Sequence, residues 1–533
     1  MSALIQTPPP VSAPPRALAD VLAPVAAAGL LAAPVEADGV TVTGVANDSR
    51  DVRPGTLFGA LAPDVVGGRH GHTFAAAAAA AGASALLVGT DFAASAASAD
   101  RDGDAHPGGD SQGTLGKGPL TPGARLAGAV LVPVTDTRAA LAEAAAAFYG
   151  RPADRLALVG ITGTNGKTTT AFLVHHLLTA LGHTAGLIGT VENRIGAARY
   201  ATSYTTPEAP ALQRLLAAMV QGGVSHTAME VSSHGLALDR VRTLRFAVGV
   251  FTNLTHDHLD FHGTPEAYAA AKKRLFDGLD ASATAVVHAG DPAWRTMVSS
   301  TAARVVTYGT DAGADLRVEV LANDVGGLHL RLDGHERRFR LAGRFNALNL
   351  AAAYGVGRAL GHTSAEVLDA LADAPGVPGR FETVTSADGV LGVVDYAHTP
   401  DALDNVLATA REIVPPGNAL WVVFGCGGDR DRAKRPAMGR IAEARADRVV
   451  LTSDNPRSED PEAILDDIAA GMAAAPHARL AGRAEAIAAA AAAAAPGDVV
   501  VVAGKGHETY QIVGAETRAF DDRAALRDAF AAR

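Results

Sequence analysis

From Leu156 onward, runs of four to seven apolar residues alternate with longer stretches whose apolar positions recur at helical spacing. LALVGIT, TAGLIGT, HTAMEV, FAVGVFTNL and ATAVVHA are the clearest runs. Runs that are apolar on both faces suit the strands of a parallel sheet with helices on either side. A second series begins near Gly379, with GVLGVVDYA, ALWVVFGCGG, ADRVVLTSDN and DVVVVAGKGHE as its strands. Each of these ends in a polar, glycine-bearing loop, and open α/β sheets bind ligands at the carboxyl ends of their strands. The turn-rich APGVPGR at 374–380 is the expected joint between the two series.

The N-terminal third is built differently. VTVTGVANDSRDVRPGTLFGAL alternates apolar and polar residues, predicting short strands around a loop that carries Asp48, Ser49 and Arg50. FAAAAAAAGASALLVG reads as a helix that stops at Gly82 and leads into a strand. AVLVPV and TRAALAEAAAAFYG supply a further strand and a closing helix, with Pro152 at the following joint. The expected organisation is therefore α/β throughout, in three domains. A proline-rich arm spans 1–16. A smaller α/β domain spans 17–150, with a polar, disordered insertion at 98–125. A central domain with a mostly parallel sheet spans 151–379, and a Rossmann-like C-terminal domain spans 380–533.

Composition narrows the class. With 48% hydrophobic and 19% charged residues, the 533-residue chain is neither disordered nor collagen-like. A net charge of −10 without a Lys/Arg block argues against binding nucleic acid or acidic lipid. The single cysteine, Cys426, excludes an internal disulfide framework and fits a reducing compartment. The N-terminus lacks a signal-peptide pattern, and the alanine runs at 75–81 and 488–495 are too short to span a bilayer. The expectation is a soluble cytoplasmic enzyme.

TGTNGKTTT, residues 162–170, follows a buried strand and opens an apolar helix. Glycines there let backbone N–H groups approach phosphate oxygens. Lys167 adds a full positive charge, and the Thr168 hydroxyl suits Mg²⁺. The strict phosphate-loop spacing fails by one residue, because its first glycine sits at Gly160 rather than at 161. Glu230, at the end of the HTAMEV run, is placed to hold the nucleotide's metal. NLTHDHLDFHG at 253–263 concentrates histidines and aspartates, a donor set open to Zn²⁺ or Mg²⁺. In the last third, Arg430 and Arg457 offer planar forks for a carboxylate, while Asp454 and Glu508 could accept hydrogen bonds from an ammonium. Acid and base groups on one rim suit a zwitterion such as an amino acid.

Taken together with TTPE (205–208), MEVSSHGL, YAAAKKRLF, GRFNALNLAAA, PGRFE, DYAHTPDAL, GCGGDRD, DNPR (454–457) and GKGHE, these motifs resemble the Mur ligases of peptidoglycan synthesis over nearly the whole chain. Their order is similar to the ligase that extends UDP-N-acetylmuramoyl-L-alanyl-D-glutamate, and DNPR is the mark of meso-diaminopimelate rather than lysine. The resemblance implies that ATP is gripped by Thr162, Gly163, Thr164, Asn165, Gly166, Lys167 and Thr168, with Asn346, Arg380 and His398 near the nucleotide. It implies Mg²⁺ on Thr168 and Glu230, a second Mg²⁺ on His258, and a carbamylated, metal-bridging Lys272. Ser49, Thr205, Thr206, Ser232 and Arg240 match contacts to the UDP-sugar peptide. Arg430, Asp454, Asn455, Pro456, Arg457, Gly504 and Glu508 match the diaminopimelate pocket. Leu238 stands where many relatives carry glutamine, which removes one polar contact. The implied reaction runs through an acyl phosphate in a monomer that binds neither nucleic acid nor membrane. Alternatives are the same chemistry on lysine or another diamino acid, folate polyglutamylation, and a nucleotide-binding regulator without ligation.

Overall fold

The computed structural model describes residues 11, 13–63, 70–92, 123–255, 257–324 and 326–533. The expected insertion falls outside them up to residue 122. Arg16 and Arg125, at the ends of the expected arm and insertion, each lie in a short strand, paired with Val42 and Val130. The Arg16 guanidinium also donates to the Phe148 carbonyl at the end of a helix (2.8 Å), a placement that satisfies an orphan carbonyl.

The described chain forms two compact units. The first comprises residues up to Lys167 and Leu178–Val306; the second comprises Thr168–Leu177 and Thr307–Arg533. The first unit holds the small N-terminal sheet, in spatial order Gly44–Ala46, Thr56–Gly59, Ala85–Gly89, Ala129–Val134 and Arg125–Leu126. Only the last pairing is antiparallel. Helix Thr137–Phe148 starts where the Asp136 carboxylate accepts the N–H groups of Arg138 and Ala139. It packs on one sheet face together with Leu18–Ala27, and the alanine helix Ala75–Ala80 covers the other face.

The larger sheet of this unit runs Ala198–Tyr200, Asn193–Ile195, Ala185–Ile188, His226–Glu230, Ala157–Thr162, Phe246–Phe251 and Thr284–His288. Its five inner strands are parallel, as their two-sided apolar runs predict. Register sets the site: Glu230 pairs with Ile161 and Phe251 with Thr162, so these carboxyl ends finish side by side.

Strand Arg304–Gly309 leads into the second unit. There Leu316–Asp324, Gly327–Leu332 and His335–Phe339 form antiparallel pairs, an extension that the parallel-sheet pattern does not announce. Helix Ser364–Ala372 begins with a reciprocal Thr363–Glu366 capping box. The C-terminal sheet runs Glu382–Thr385, Leu391–Asp395, Val499–Ala503, Leu420–Phe424, Arg448–Leu451 and Ala478–Arg479, antiparallel only at its first edge. Period-two geometry sends Val499 and Val501 into one core and Val500 and Val502 into the other. Among the described residues, no helix is long and apolar enough to cross a membrane.

Candidate active site

The phosphate-loop candidate is held by the strand beside it. Thr164 N–H donates to the Asn253 carbonyl (2.8 Å), Asn165 N–H to Asn253 Oδ1 (2.9 Å), and the Thr252 hydroxyl to the Asn165 carbonyl (2.6 Å). A Cβ on Gly163, at φ +148°, would collide with the Thr252 hydroxyl, so glycine is required there. Helix Lys167–Ala180 starts at the lysine itself, whose Nζ folds back onto the carbonyls of Gly163 (2.9 Å) and Thr164 (2.7 Å). Thr162 is fully buried, and Thr168, the helix's second residue, is buried as well.

Glu230 anchors the neighbouring strand end. Its carboxylate accepts the Thr190 N–H (2.8 Å) and hydroxyl (3.2 Å), and its carbonyl accepts the Thr206 hydroxyl (2.9 Å). Four of the five residues matched to the UDP-sugar peptide gather around it. Thr205 shares a hydroxyl contact with Thr190 (2.9 Å), Ser232 N–H donates to Thr206 (3.0 Å), and Arg240 donates to the Thr206 carbonyl (3.0 Å). Ser232 also caps the short helix Ser233–Ala237, after which Leu238 sits half-buried. The fifth, Ser49, opens a one-turn 3₁₀ helix in the small N-terminal sheet's loop, beside an exposed Arg50 paired with Asp48.

Lys272 comes from helix Pro265–Asp277, capped by Thr264. It is 1% exposed, donates to the Gly163 carbonyl (2.8 Å), and lies over the Tyr268 ring at 4.4 Å. Burial, reinforced by the charge on Lys167, drives its ammonium well below the usual lysine range. Tyr268 in turn contacts the Thr164 hydroxyl through its own (3.1 Å), and burial pushes its phenol up to about 12. His258 sits at φ 53°, its ring 4.8 Å from that of His234 and its Nε2 3.4 Å from Asp257 Oδ2, and burial lowers its pKa below the ordinary imidazole value. His262 bonds the Ser233 hydroxyl (3.0 Å). Of the histidine run, His256 lies outside the described residues.

In the second unit, Asn346 is buried and its amide is engaged by the Ala342 carbonyl (2.7 Å) and by Asn349 (2.9 Å). Arg380 lies over the Tyr396 ring at 4.6 Å, and His398 packs on the same ring.

The four C-terminal loops converge as expected. Arg457, at φ 52°, donates to the Gly428 carbonyl (2.8 Å). Arg430 is exposed and donates to the Asp429 carbonyl of its own loop (3.1 Å). Asp454, Asn455 and Pro456 are buried. Gly504 takes φ +118°, and a Cβ there would lie 2.6 Å from Asp454 Oδ2. Asn455 Nδ2 donates to Glu508 Oε2 (3.0 Å). The hairpin Tyr510–Val513 with Glu516–Ala519 completes the bracket. Gln511 donates to the Asp454 carbonyl (2.7 Å), and Arg457 N–H donates to the Ile512 carbonyl (3.1 Å).

The first unit thus holds the phosphate loop as far as Lys167, with Lys272, Glu230 and the Thr205–Arg240 group, while Thr168 belongs to the second. The diaminopimelate-pocket candidates gather in the second as well. Thr190, Tyr268, His234, Lys505 and the terminal hairpin escape the sequence analysis. A signal existed for three of them: Tyr268, His234 and Lys505 stand inside YAAAKKRLF, MEVSSHGL and GKGHE.

Comparison with known proteins finds relatives along most of the chain. Residues 161–357 match the family profile described as Mur ligase middle domain, and residues 379–506 match Mur ligase, glutamate ligase domain. The chain is 44% identical over 522 residues to the UDP-N-acetylmuramoyl-L-alanyl-D-glutamate--2,6-diaminopimelate ligase of Chlorobaculum tepidum, covering 95% of this chain and 96% of that one. It is 46% identical to the ligase of the same name from Geobacillus kaustophilus, covering 75% and 84%. A solved structure of a ligase with that name superposes with TM-score 0.63 at 33% identity, covering 94% of this chain and 97% of the other. MurF from Acinetobacter baumannii superposes with TM-score 0.60 at 17% identity over 98% of this chain and 100% of that one, a likeness of fold alone. Two family profiles on successive stretches and a relative 44% identical over 95% of the chain agree: the chain belongs to the Mur ligase family.

Proposed function

We propose that the chain joins meso-2,6-diaminopimelate to the D-glutamyl carboxylate of UDP-N-acetylmuramoyl-L-alanyl-D-glutamate, with cleavage of ATP to ADP and phosphate, in peptidoglycan synthesis. The observation that carries the assignment is the 454–457 loop, where the Arg457 guanidinium on the Gly428 carbonyl and the Asn455–Glu508 contact stand beyond the carboxyl ends of one sheet. A dicarboxylic diamino acid offers the complementary carboxylate and ammonium. The 44% identity over 95% of the chain to a ligase of that name supports it.

A carboxylate does not condense with an amine unaided. The γ-phosphoryl group of ATP passes to the glutamyl carboxylate, the neutral amine attacks the resulting acyl phosphate, and phosphate leaves from the tetrahedral intermediate. Thr162 to Thr168 hold the phosphates, and Lys167 neutralises charge on the transferring group. Asn346, Arg380 and His398 accompany the nucleotide. Thr205, Thr206, Ser232, Arg240 and Ser49 hold the UDP-sugar peptide, and Arg430, Arg457, Asp454, Gly504 and Glu508 hold the diamino acid. Residues 17–150, 151–379 and 380–533 divide these tasks as three domains of a cytoplasmic monomer.

The donor set fits Mg²⁺. Glu230 is a carboxylate fixed by Thr190, and His258 is an imidazole kept neutral by burial. Thr168 and Glu230 would hold one ion and His258 a second, supplying charge neutralisation at the phosphoryl oxygens. Lys272 is suited to carbamylation, because its suppressed ammonium leaves an amine free to add to carbon dioxide. The neutral amine nitrogen forms a C–N bond to the carbon of carbon dioxide as one C=O π bond opens, one proton leaves, and an anionic carbamate results that would serve as a carboxylate-like ligand.

Phosphate release with Mg-ATP and the UDP-dipeptide, comparing meso-diaminopimelate with L-lysine, tests the assignment. Release confined to meso-diaminopimelate supports it. Preference for lysine overturns the specificity, and ATP binding without release from either overturns the ligase.

A further inference from the structure

Lys505 is absent from every role assigned above, yet it lies at the centre of the candidate diamino-acid pocket. Its side chain is fully buried, and its Nζ donates to Asn455 Oδ1 (3.0 Å) and to Glu508 Oε2 (3.0 Å), with Asp454 Oδ1 at 3.8 Å. The Tyr510 ring closes the cluster at 5.5 Å from Nζ. Each partner is thereby oriented. Asn455 Oδ1 is filled by Lys505 and the Ile512 N–H (3.0 Å), which turns Nδ2 toward Glu508 Oε2. Glu508 Oε2 is then doubly occupied, whereas no described residue donates to Oε1.

We propose that Lys505 is the positioning residue of the amino-acid pocket: it presents Glu508 Oε1 and Asp454 to the ammonium of the incoming diamino acid and trims the pocket's charge. The inference rests on the diaminopimelate reading. Asp454 and Glu508 alone carry two negative charges; with Lys505 among them the local charge is one negative, which a single substrate ammonium balances. Burying two carboxylates against one ammonium is costly without such compensation. Arg457, on the Gly428 side of the same pocket, stays available for the substrate's carboxylate.

The test uses the full-length enzyme and steady-state phosphate release, with meso-diaminopimelate, L-lysine, ATP and the UDP-dipeptide varied in turn. Lys505→Met is expected to raise the KM for meso-diaminopimelate about 100-fold, the size of effect expected when a buried pair loses one partner. The KM values for ATP and the UDP-dipeptide should stay within about threefold, because the phosphate loop lies on another sheet. Lys505→Arg should recover at least about tenfold of the loss, since it restores the charge. Glu508→Gln combined with Lys505→Met should cost little more than either alone, because both act through the same oxygen pair.

An unchanged KM for meso-diaminopimelate in Lys505→Met overturns the proposal, as does a uniform fall in kcat with every KM altered alike. If Lys505→Met fails to fold, Lys505→Arg and Glu508→Gln decide: a raised KM confined to meso-diaminopimelate supports the role, and wild-type kinetics in both overturns it. Failure of the diaminopimelate reading itself appears separately, as a wild-type enzyme that releases no phosphate with that substrate.

Discussion

Two lysines of this chain are buried, Lys272 within helix Pro265–Asp277 and Lys505 just beyond the strand Val499–Ala503, and their surroundings differ. Lys272, in the first unit, donates to one backbone carbonyl and rests on an aromatic ring, and no carboxylate among the described residues pairs with it. Lys505, in the second, is ringed by a carboxylate at 3.0 Å, another at 3.8 Å and an amide. An ammonium desolvated without a counter-ion gives up its proton readily and becomes a nucleophile. One desolvated among carboxylates and an amide is held by them and orients them in turn. In the roles proposed above, the same residue type serves chemistry in one unit and geometry in the other.

The largest expected effect falls on the first of these. Lys272→Met should lower turnover about 10³-fold, the scale on which a group stabilising charge in the transition state is lost. Added bicarbonate should not rescue it. Its melting temperature should hold or rise, because a poorly compensated buried amine gives way to a thioether of similar length. A turnover near wild type would erase the contrast between the two lysines.

Arg457→Lys probes the other pocket. A point charge cannot reproduce the fork that holds a carboxylate, so kcat/KM for meso-diaminopimelate should fall about 100-fold. Selectivity over lysine should narrow with it; equal losses for both amino acids would remove Arg457 from specificity.

Thr190→Val sharpens the first site without touching either lysine. Glu230 keeps the backbone N–H but loses the hydroxyl, and kcat should fall about tenfold with a raised requirement for Mg²⁺. Steady-state assays across Mg²⁺ concentrations check this.

The smallest effect lies at the edge of the second pocket, two residues beyond Arg457. Hydrogen bonds from Arg435, then the Asp429 N–H, hold the Glu459 carboxyl down to about 2. That folded value lies below the unfolded one of about 4.3. The pair's contribution is therefore complete above the unfolded value and disappears as pH falls from about 4.3 towards 2. Denaturant titrations of Arg435→Gln should show a flatter acid limb than wild type over that window.

The framework was legible because both faces of its inner strands are buried, which writes unbroken apolar runs such as VVVVA into the sequence. The phosphate loop was legible because strand, glycine turn, lysine and helix are contiguous. The antiparallel pairs after Leu316 were not, since their strands mix exposed and buried positions without a clean period. Thr190 and Lys505 were obscured for another reason. Thr190 works on Glu230, forty positions on, and Lys505 on Asn455, fifty positions back, so only the folded register joins them. Gly189 carries a trace of this: a Cβ there would strike the Glu230 carboxylate.

The contrast between the lysines is read most directly by ¹³C NMR of the enzyme equilibrated with labelled bicarbonate. Wild type and Lys505→Met should each show one protein-bound carbamate resonance, and Lys272→Met none. A resonance that survives in Lys272→Met, or one lost in a folded Lys505→Met, would contradict the division of roles.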